Sequence, residues 1–347
     1  MRRLPYRRRR HPVGGAGELV RLSLLAAALL VLWVLLRLRA PEPIILVWDA
    51  SAARLEELGL EDYVRGVVAA EMPADFHLEA LKAQAVAART YALRRVERDE
   101  RLPDQPGAHV STDFARHQAW IDAQAFLDRW GAWEGMRRWA RVTLAVEATR
   151  GEVLTYNGEL IEALYHSTSG GHTEDAARYF SGGQPYLVGV PDPWGDHSPY
   201  HRSAVRFPVS VVLARLGLQE TVAAATGSGS PGGLTGAGGQ ASTRGPAAGD
   251  AATPVVQVLS RTPAGRAETV AVAGRVFTGR QVREALGLRS NWFDVEVDGG
   301  DVVFLVRGSG HGVGMAQYGA DGMARAGFGY ADILAYYYRG AALEKRY

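Results

Sequence analysis

Cysteine is absent from the chain. That removes disulfides, thiolate-ligated zinc and a thiol nucleophile, and leaves stability to a hydrophobic core. Charge of one sign is nearly as scarce: 39 basic side chains face 37 acidic ones, a net +2. Much of that excess sits in Arg2, Arg3, Arg7, Arg8, Arg9 and Arg10, so the remainder is close to neutral. Such a balance carries no electrostatic footprint for nucleic acid, and no nucleic-acid partner is expected. No internal repeat occurs. The glycines at 308, 310, 312 and 314 match neither G-x-G-x-x-G nor a Gly-Lys-Ser/Thr loop, which excludes a phosphate cradle there. What is present is a globular composition, 47% hydrophobic and 22% charged over 347 residues. That length allows one large domain or two ordinary ones.

Residues 1–18 are basic and Gly-rich, and read as a cytoplasmic tail. Leu19–Leu38 is apolar apart from Arg21, Ser23 and Arg37, and Pro41-Glu42-Pro43 closes it. The preceding arginines predict a cytoplasmic N-terminus and an exported remainder. Leu38-Arg39-Ala40 places a charge where a cleavage site needs a small residue. An uncleaved membrane anchor over 19–40 is therefore expected rather than a signal peptide, giving a single-pass protein of the cell membrane with its bulk outside the cytoplasm.

The densest pattern lies at Glu61–Arg95. Tyr63, Val64, Val67, Val68 and Met72 recur at helical spacing, and Pro73 stops the pattern. A second, Ala-rich helix is predicted from about Leu78 to Val96. Its apolar band (Leu78, Leu81, Ala85, Ala88, Ala92) leaves few polar positions, as expected of a helix buried on most sides. Glu71 falls where the first helix ends, beside Met72 and Pro73. A carboxyl in that apolar corner is expected to have a raised pKa, or else to be a structural partner of Lys82 or Arg89.

Ile44–Trp48 reads as a strand and Pro103–Ser111 as a polar loop. Ala119–Ala140 is predicted helical, its tryptophans (Trp120, Trp130, Trp133, Trp139) more readily core than sugar-stacking. Asn157-Gly158 predicts a hairpin between Glu152–Tyr156 and Glu159–Tyr165, delivering His166-Ser-Thr-Ser-Gly-Gly-His172 to a strand end. Thr226–Thr253 is Gly, Ala, Ser and Pro with almost no large apolar side chain, and is expected to be a flexible excursion. Val255–Leu259, Thr269–Val272, Arg275–Thr278, Trp292–Val297 and Val302–Val306 read as strands, with a capped helix from Thr278 to Leu286. His311 stands among four glycines ahead of Gln317.

Gly66–Leu93, GVVAAEMPADFHLEALKAQAVAARTYAL, is similar to the core motif of the SpoIID/LytB family, named for a stage II sporulation protein and an amidase enhancer. Gly308–Ala320, GSGHGVGMAQYGA, resembles the same family's C-terminal motif, with Ala316 in place of the commoner Ser. The resemblance covers about Glu61–Leu343, with insertions near 119–140 and 219–253, and implies one catalytic domain over 41–343. It implies an α+β fold, a helical unit carrying the catalytic Glu packed on mostly antiparallel strands, behind the single N-terminal transmembrane helix. It further implies a peptidoglycan lytic transglycosylase acting on glycan strands stripped of stem peptides, with Glu71 catalytic. Lys82 and Arg89 would orient Glu71 or bind polar groups of the substrate; His166, Thr168, Ser169, His311 and Gln317 would contact the glycan. Family members with a metal beside the His-Ser-Thr-Ser-Gly-Gly loop use cysteine, so zinc at His166 and His172 is not expected, and neither is another cofactor. Expected partners are peptidoglycan strands, the cytoplasmic membrane and an amidase. Two other activities stay open: a non-catalytic wall-binding enhancer of an amidase, and a hydrolase pairing Glu71 with Asp113 or Asp192.

Overall fold

The computed structural model describes residues 42–105, 107–113, 116–180, 182–218 and 255–347, together with Arg21 and Leu24. The fold below is that of the compact unit Pro43–Arg346. β1 (Ile44–Asp49) and β2 (Arg54–Gly59) form an antiparallel hairpin, with Ile44 opposite Gly59 and Asp49 opposite Arg54. α1 (Leu60–Glu71) follows without a loop and buries Leu60, Tyr63, Val64, Val67 and Val68, one face at helical spacing. α2 (Leu78–Glu97) is buried continuously from Ala80 to Leu93 apart from Lys82. Alanines make that burial feasible, because neighbouring elements approach its backbone from several sides. β3 (Val110–Ser111) adds to β1 in parallel. α3 (Ala123–Trp130) and α4 (Ala132–Ala148) lead into β4 (Glu152–Tyr156) and β5 (Glu159–Leu160), which pair across Asn157-Gly158, both at positive φ.

β6 (Tyr165–His166) and a short helix α5 (Ala176–Tyr179) precede a second group of elements. β7 (Arg202–Pro208), α6 (Val209–Arg215), β8 (Val256–Arg261), β9 (Ala267–Val272), β10 (Arg275–Thr278), α7 (Gly279–Leu286), β11 (Phe293–Asp298) and β12 (Asp301–Arg307) share a core. Val270, Val282, Leu286, Phe293, Phe304 and Val306 fill it, between the sheets ordered β10-β9-β8 and β11-β12-β7. The chain then returns through β13 (Met315–Ala316), α8 (Gln317–Arg325), α9 (Tyr330–Tyr337) and β14 (Ala342–Lys345). β13 pairs in parallel with β6, and β14 lies antiparallel to β4. α2 is the hub: α1, α4, α8, α9 and β4 all pack on it.

The expected fold class needs correction. The described residues form a mixed α/β unit with several small sheets, two of which contain a parallel pair. Among the described residues no helix is long and apolar enough to cross a membrane, so the single transmembrane helix is not carried into the structure. The stretch proposed for it, 19–40, lies outside the described residues apart from Arg21 and Leu24, as does the Gly/Ala/Ser-rich insertion at 226–253. The Trp-rich stretch is not one helix. Residues 119–122 carry no helix, and Gly131, at φ 75°, separates α3 from α4. Nor are its tryptophans all core, since Trp133 is 79% exposed and Trp130 43%. The second hairpin strand stops at Leu160; Tyr165 and His166 pair with β13 instead.

Candidate active site

Glu71 is the last residue of α1, because Pro73 cannot continue the hydrogen-bond ladder. Its side chain leaves the helix at the end where backbone carbonyls are unsatisfied, a setting that disfavours a negative charge. Two donors reach it nonetheless. The Ala119 N–H donates to Oε1 at 2.8 Å, and Gln317 Nε2 donates to Oε2 at 3.4 Å. Burial raises the carboxyl above its ordinary range, and the bonds from Ala119 and Gln317 pull it part of the way back. Beside it runs a chain of neutral donors: Tyr63 OH to Gln118 Oε1 at 3.1 Å, and Gln118 Nε2 to the Tyr165 hydroxyl at 2.9 Å. Burial, with the nearby Glu71 charge adding to it, holds the Tyr165 phenol well above its usual pKa.

A cavity of about 850 Å³ opens over Glu71. That lies within the roughly 300–1,000 Å³ usual for ligand sites. Glu71, Tyr165, His166, His311, Gln317 and Tyr318 line it. The two histidine motifs meet there because β6 and β13 pair in parallel, Met315 beside Tyr165 and Ala316 beside His166. Ser309 and Thr168 lock the approaches by exchanging backbone hydrogen bonds of 2.8 and 3.0 Å. Gly312 lets the second loop pass over Arg266: it sits at φ +87°, and a Cβ there would fall on the guanidinium. His166 Nδ1 donates to the Val313 carbonyl at 3.1 Å, and His311 Nδ1 accepts the Val313 N–H at 3.0 Å. The His166 and His311 ring centres are 5.7 Å apart. Burial keeps both neutral; His311 is pushed down to about 3, with Arg283 and Arg266 adding to the effect. His166 Nε2 is buried without a partner.

Of the residues singled out in the sequence, Glu71, His166, His311 and Gln317 come together at this cavity. Lys82, Arg89, Thr168 and Ser169 do not line it. Lys82 is bonded to Glu79 at 2.7 Å, and its ammonium lies over the Tyr330 ring at 5.5 Å rather than beside Glu71. Arg89 is fully buried and grips Glu61 through two bonds of 2.9 and 2.7 Å, with the Glu152 carbonyl at 3.0 Å. It orients the helix scaffold, not the carboxyl. Thr168 and Ser169 are buried under the loop, bonded to Ser198 at 2.7 Å and to the Gly171 N–H at 3.1 Å. His172 Nδ1 faces the Thr173 carbonyl at 2.6 Å. Among the described residues no three His, Cys, Asp or Glu side chains converge as metal ligands. Asp192 lies in the interior against the Tyr337 hydroxyl at 3.0 Å, and neither it nor Asp113 lines the cavity. The acid that does share the cavity with Glu71 is Glu162, which sequence reasoning missed. The backbone bond from Ala119 was equally invisible, since only folding brings that loop to Glu71.

A family profile described as Stage II sporulation protein matches residues 49–156, the segment that holds Glu71 and Ala119. Stage II sporulation protein D of Bacillus subtilis (strain 168) is 35% identical over 308 residues, spanning 89% of this chain and 81% of that protein. Its counterpart in Bacillus amyloliquefaciens is 35% identical over 86% of this chain and 78% of its own length. The protein named Amidase enhancer of Bacillus subtilis (strain 168) is 29% identical over 81% of this chain, which covers 40% of that longer protein.

Proposed function

The chain belongs to the SpoIID family, and on that premise we propose that it is a lytic transglycosylase of peptidoglycan, cutting the MurNAc–GlcNAc β-1,4 bond of glycan strands outside the cytoplasm. The observation that carries this is the Glu71 carboxyl: raised in pKa by burial, held by Ala119 and Gln317, and facing a cavity of about 850 Å³.

The chemistry needs one carboxyl used twice. Protonated Glu71 donates to the glycosidic oxygen as the C1–O bond breaks, releasing the GlcNAc end as an alcohol. The carboxylate left behind takes the proton from the MurNAc C6 hydroxyl, whose oxygen closes onto C1. The product is a 1,6-anhydro ring, no water is consumed, and Glu71 ends protonated as it began. Burial favours the acid form, while the Ala119 and Gln317 donors favour the carboxylate between the half-steps. The scheme calls for no cofactor.

Digestion of stem-free glycan strands followed by mass spectrometry tests this. Wild-type protein should yield anhydro ends, and Glu71→Gln should lose about a hundredfold or more of the rate. An active Glu71→Gln variant defeats the scheme. Products heavier by one water at the new end identify a hydrolase instead, with Glu162 as the second carboxylate of the cavity. Likeness to the Amidase enhancer favours a second reading, a wall-binding protein that stimulates an amidase. Retention on purified wall without turnover, with faster release of stem peptides by an added amidase, would establish it.

A further inference from the structure

Arg95 forms part of the same cavity wall, and its guanidinium is short of partners. It stands near the end of α2 and stacks on the Tyr91 ring, with its central carbon 3.9 Å from the ring centre. Its Nη1 is buried, and no acceptor among the described residues reaches it. A buried charged donor without an acceptor is costly, and native structures rarely retain one without a reason. The neighbouring arginines are engaged: Arg94 with Glu100 at 3.6 Å, and Arg116 in a fork on Asp104. Glu162 lines the cavity too, yet among the ion pairs of the described residues none joins it to Arg95.

His117 completes the patch. It lines the cavity, its Nδ1 is buried and unpartnered, and its ring packs edge-on against Tyr91 at 6.4 Å. Burial pushes its pKa down to about 4, with Arg95 and Arg116 contributing. The imidazole therefore adds no charge to the patch at neutral pH, and Arg95 supplies its positive charge. His117 and Gln118 lie side by side in the wall, and Ala119, the next residue, is the one bonded to Glu71. Two peptide units span at most about 7.6 Å, so the patch and the Glu71 carboxyl serve adjoining parts of one bound chain.

We propose that Arg95 and His117 form a carboxylate subsite in the cavity that reads the free lactyl group of muramic acid. This rests on the peptidoglycan reading above. Muramic acid carries that lactate on its O3 oxygen. Where a stem peptide is attached the group is a neutral amide; where the stem is gone it is a carboxylate. A guanidinium stacked on an aromatic ring with an open N–H takes the carboxylate by a charge-assisted bond, and gains far less from the amide. Arg95 thus discriminates strands by their state of peptide substitution, as a residue that binds substrate rather than one that moves a proton.

The test measures retention of soluble stem-free strands on immobilised protein in the Glu71→Gln background, which prevents turnover. The same strands with their lactyl carboxylates converted to methyl esters are the comparison. The expected result is roughly tenfold to a hundredfold weaker retention of the esterified strands. Arg95→Gln should weaken retention of the free acid by a similar factor and be indifferent to esterification, and Arg95→Lys should recover part of the loss. Equal retention of acid and ester by the parent protein overturns the subsite, and so does an Arg95→Gln variant that still prefers the acid. Parent-protein discrimination needs no folded Arg95 variant, so a misfolded variant does not decide the matter. Failure of the lytic reading shows separately: strands that bind with discrimination but are never cut by protein with Glu71 intact sink the enzyme and leave the subsite standing. Strands cut equally as acid and ester sink the subsite and leave the enzyme.

Discussion

Gln317 and Glu71, separated by 246 positions, meet at 3.4 Å across the cavity. The contact joins the first residue of α8 to the last residue of α1. Both ends are fixed independently. Pro73 stops α1, and β13 sets the start of α8 through its pairing with β6. The carboxyl is therefore aimed by backbone on two sides rather than by a flexible ion pair, and its protonation answers to a neutral donor.

Removing that donor moves the titration of Glu71 in a known direction. The Gln317 bond favours the carboxylate, so Gln317→Leu raises the carboxyl further above its ordinary range. If protonated Glu71 is the acid in the free enzyme, the basic limb of kcat/KM shifts to higher pH. A basic limb that stays put in Gln317→Leu, measured on stem-free strands, removes Glu71 from the role of titrating acid.

How much of this was legible beforehand depends on the range of each interaction. α1, α2 and their break at Pro73 follow from local periodicity and chain stiffness, and both appear where the spacing puts them. α7 announces itself by Thr278 and Gln281, which form a full capping box. By contrast, Arg89 and Lys82 share a helix with the motif, and only the fold shows that one faces Glu61 and the other Glu79. Periodicity states which face is polar, not which partner waits there. Glu162 lies in no recognisable motif and Arg95 falls two residues past the one ending at Leu93, so their place in the cavity wall is purely tertiary. The break at Gly131 was readable in principle, as a glycine inside a helical pattern.

Gly312 supplies a stability prediction. Alanine there must adopt φ +87° and places its Cβ on the Arg266 guanidinium, itself fully buried and bonded to the Ser169 carbonyl at 2.9 Å. Strain and overlap together should cost about 3 kcal/mol or more. Urea denaturation of Gly312→Ala checks this against Gly327→Ala, where φ is +97° but nothing lies within 4 Å of the added atom. The control should lose only the strain, about 1–2 kcal/mol. Equal losses would show that the Arg266 contact yields without cost.

The buried Arg89–Glu61 fork makes a different prediction. Glu61 also accepts the Gly151 N–H at 3.1 Å, so both charges are embedded in backbone bonds at the junction of α1, α2 and β4. Arg89→Lys keeps the charge but loses the fork, and Glu61→Gln leaves a buried cation short of its counter-charge. Each should cost about 3–5 kcal/mol of unfolding free energy. Turnover per folded molecule, measured well below the melting temperature, should be unchanged. Lost turnover at unchanged stability would return Arg89 to the substrate site.

The histidine pair over the cavity ties stability to pH. His311 is held neutral down to about 3 and His166 well below its ordinary value, both chiefly by burial, whereas in the unfolded chain each titrates near 6.5. Below about pH 6.5 the unfolded state therefore binds more protons than the native state, and unfolding free energy falls as pH drops. Each histidine contributes a slope of up to about 1.4 kcal/mol per pH unit across that window. Glu71 acts oppositely, since a raised carboxyl gives the native state the extra proton and costs stability as pH rises through its range. Urea denaturation between about pH 4.5 and 6.5, carried out in the Glu71→Gln background, removes that opposing contribution. In that background His311→Gln keeps an acceptor for the Val313 N–H, bonded at 3.0 Å in the native loop, and should flatten the slope by close to one proton. A slope unchanged by the substitution would mean that His311 already carries its proton in the folded protein, and the loop would then present a cation to the glycan instead of a neutral ring.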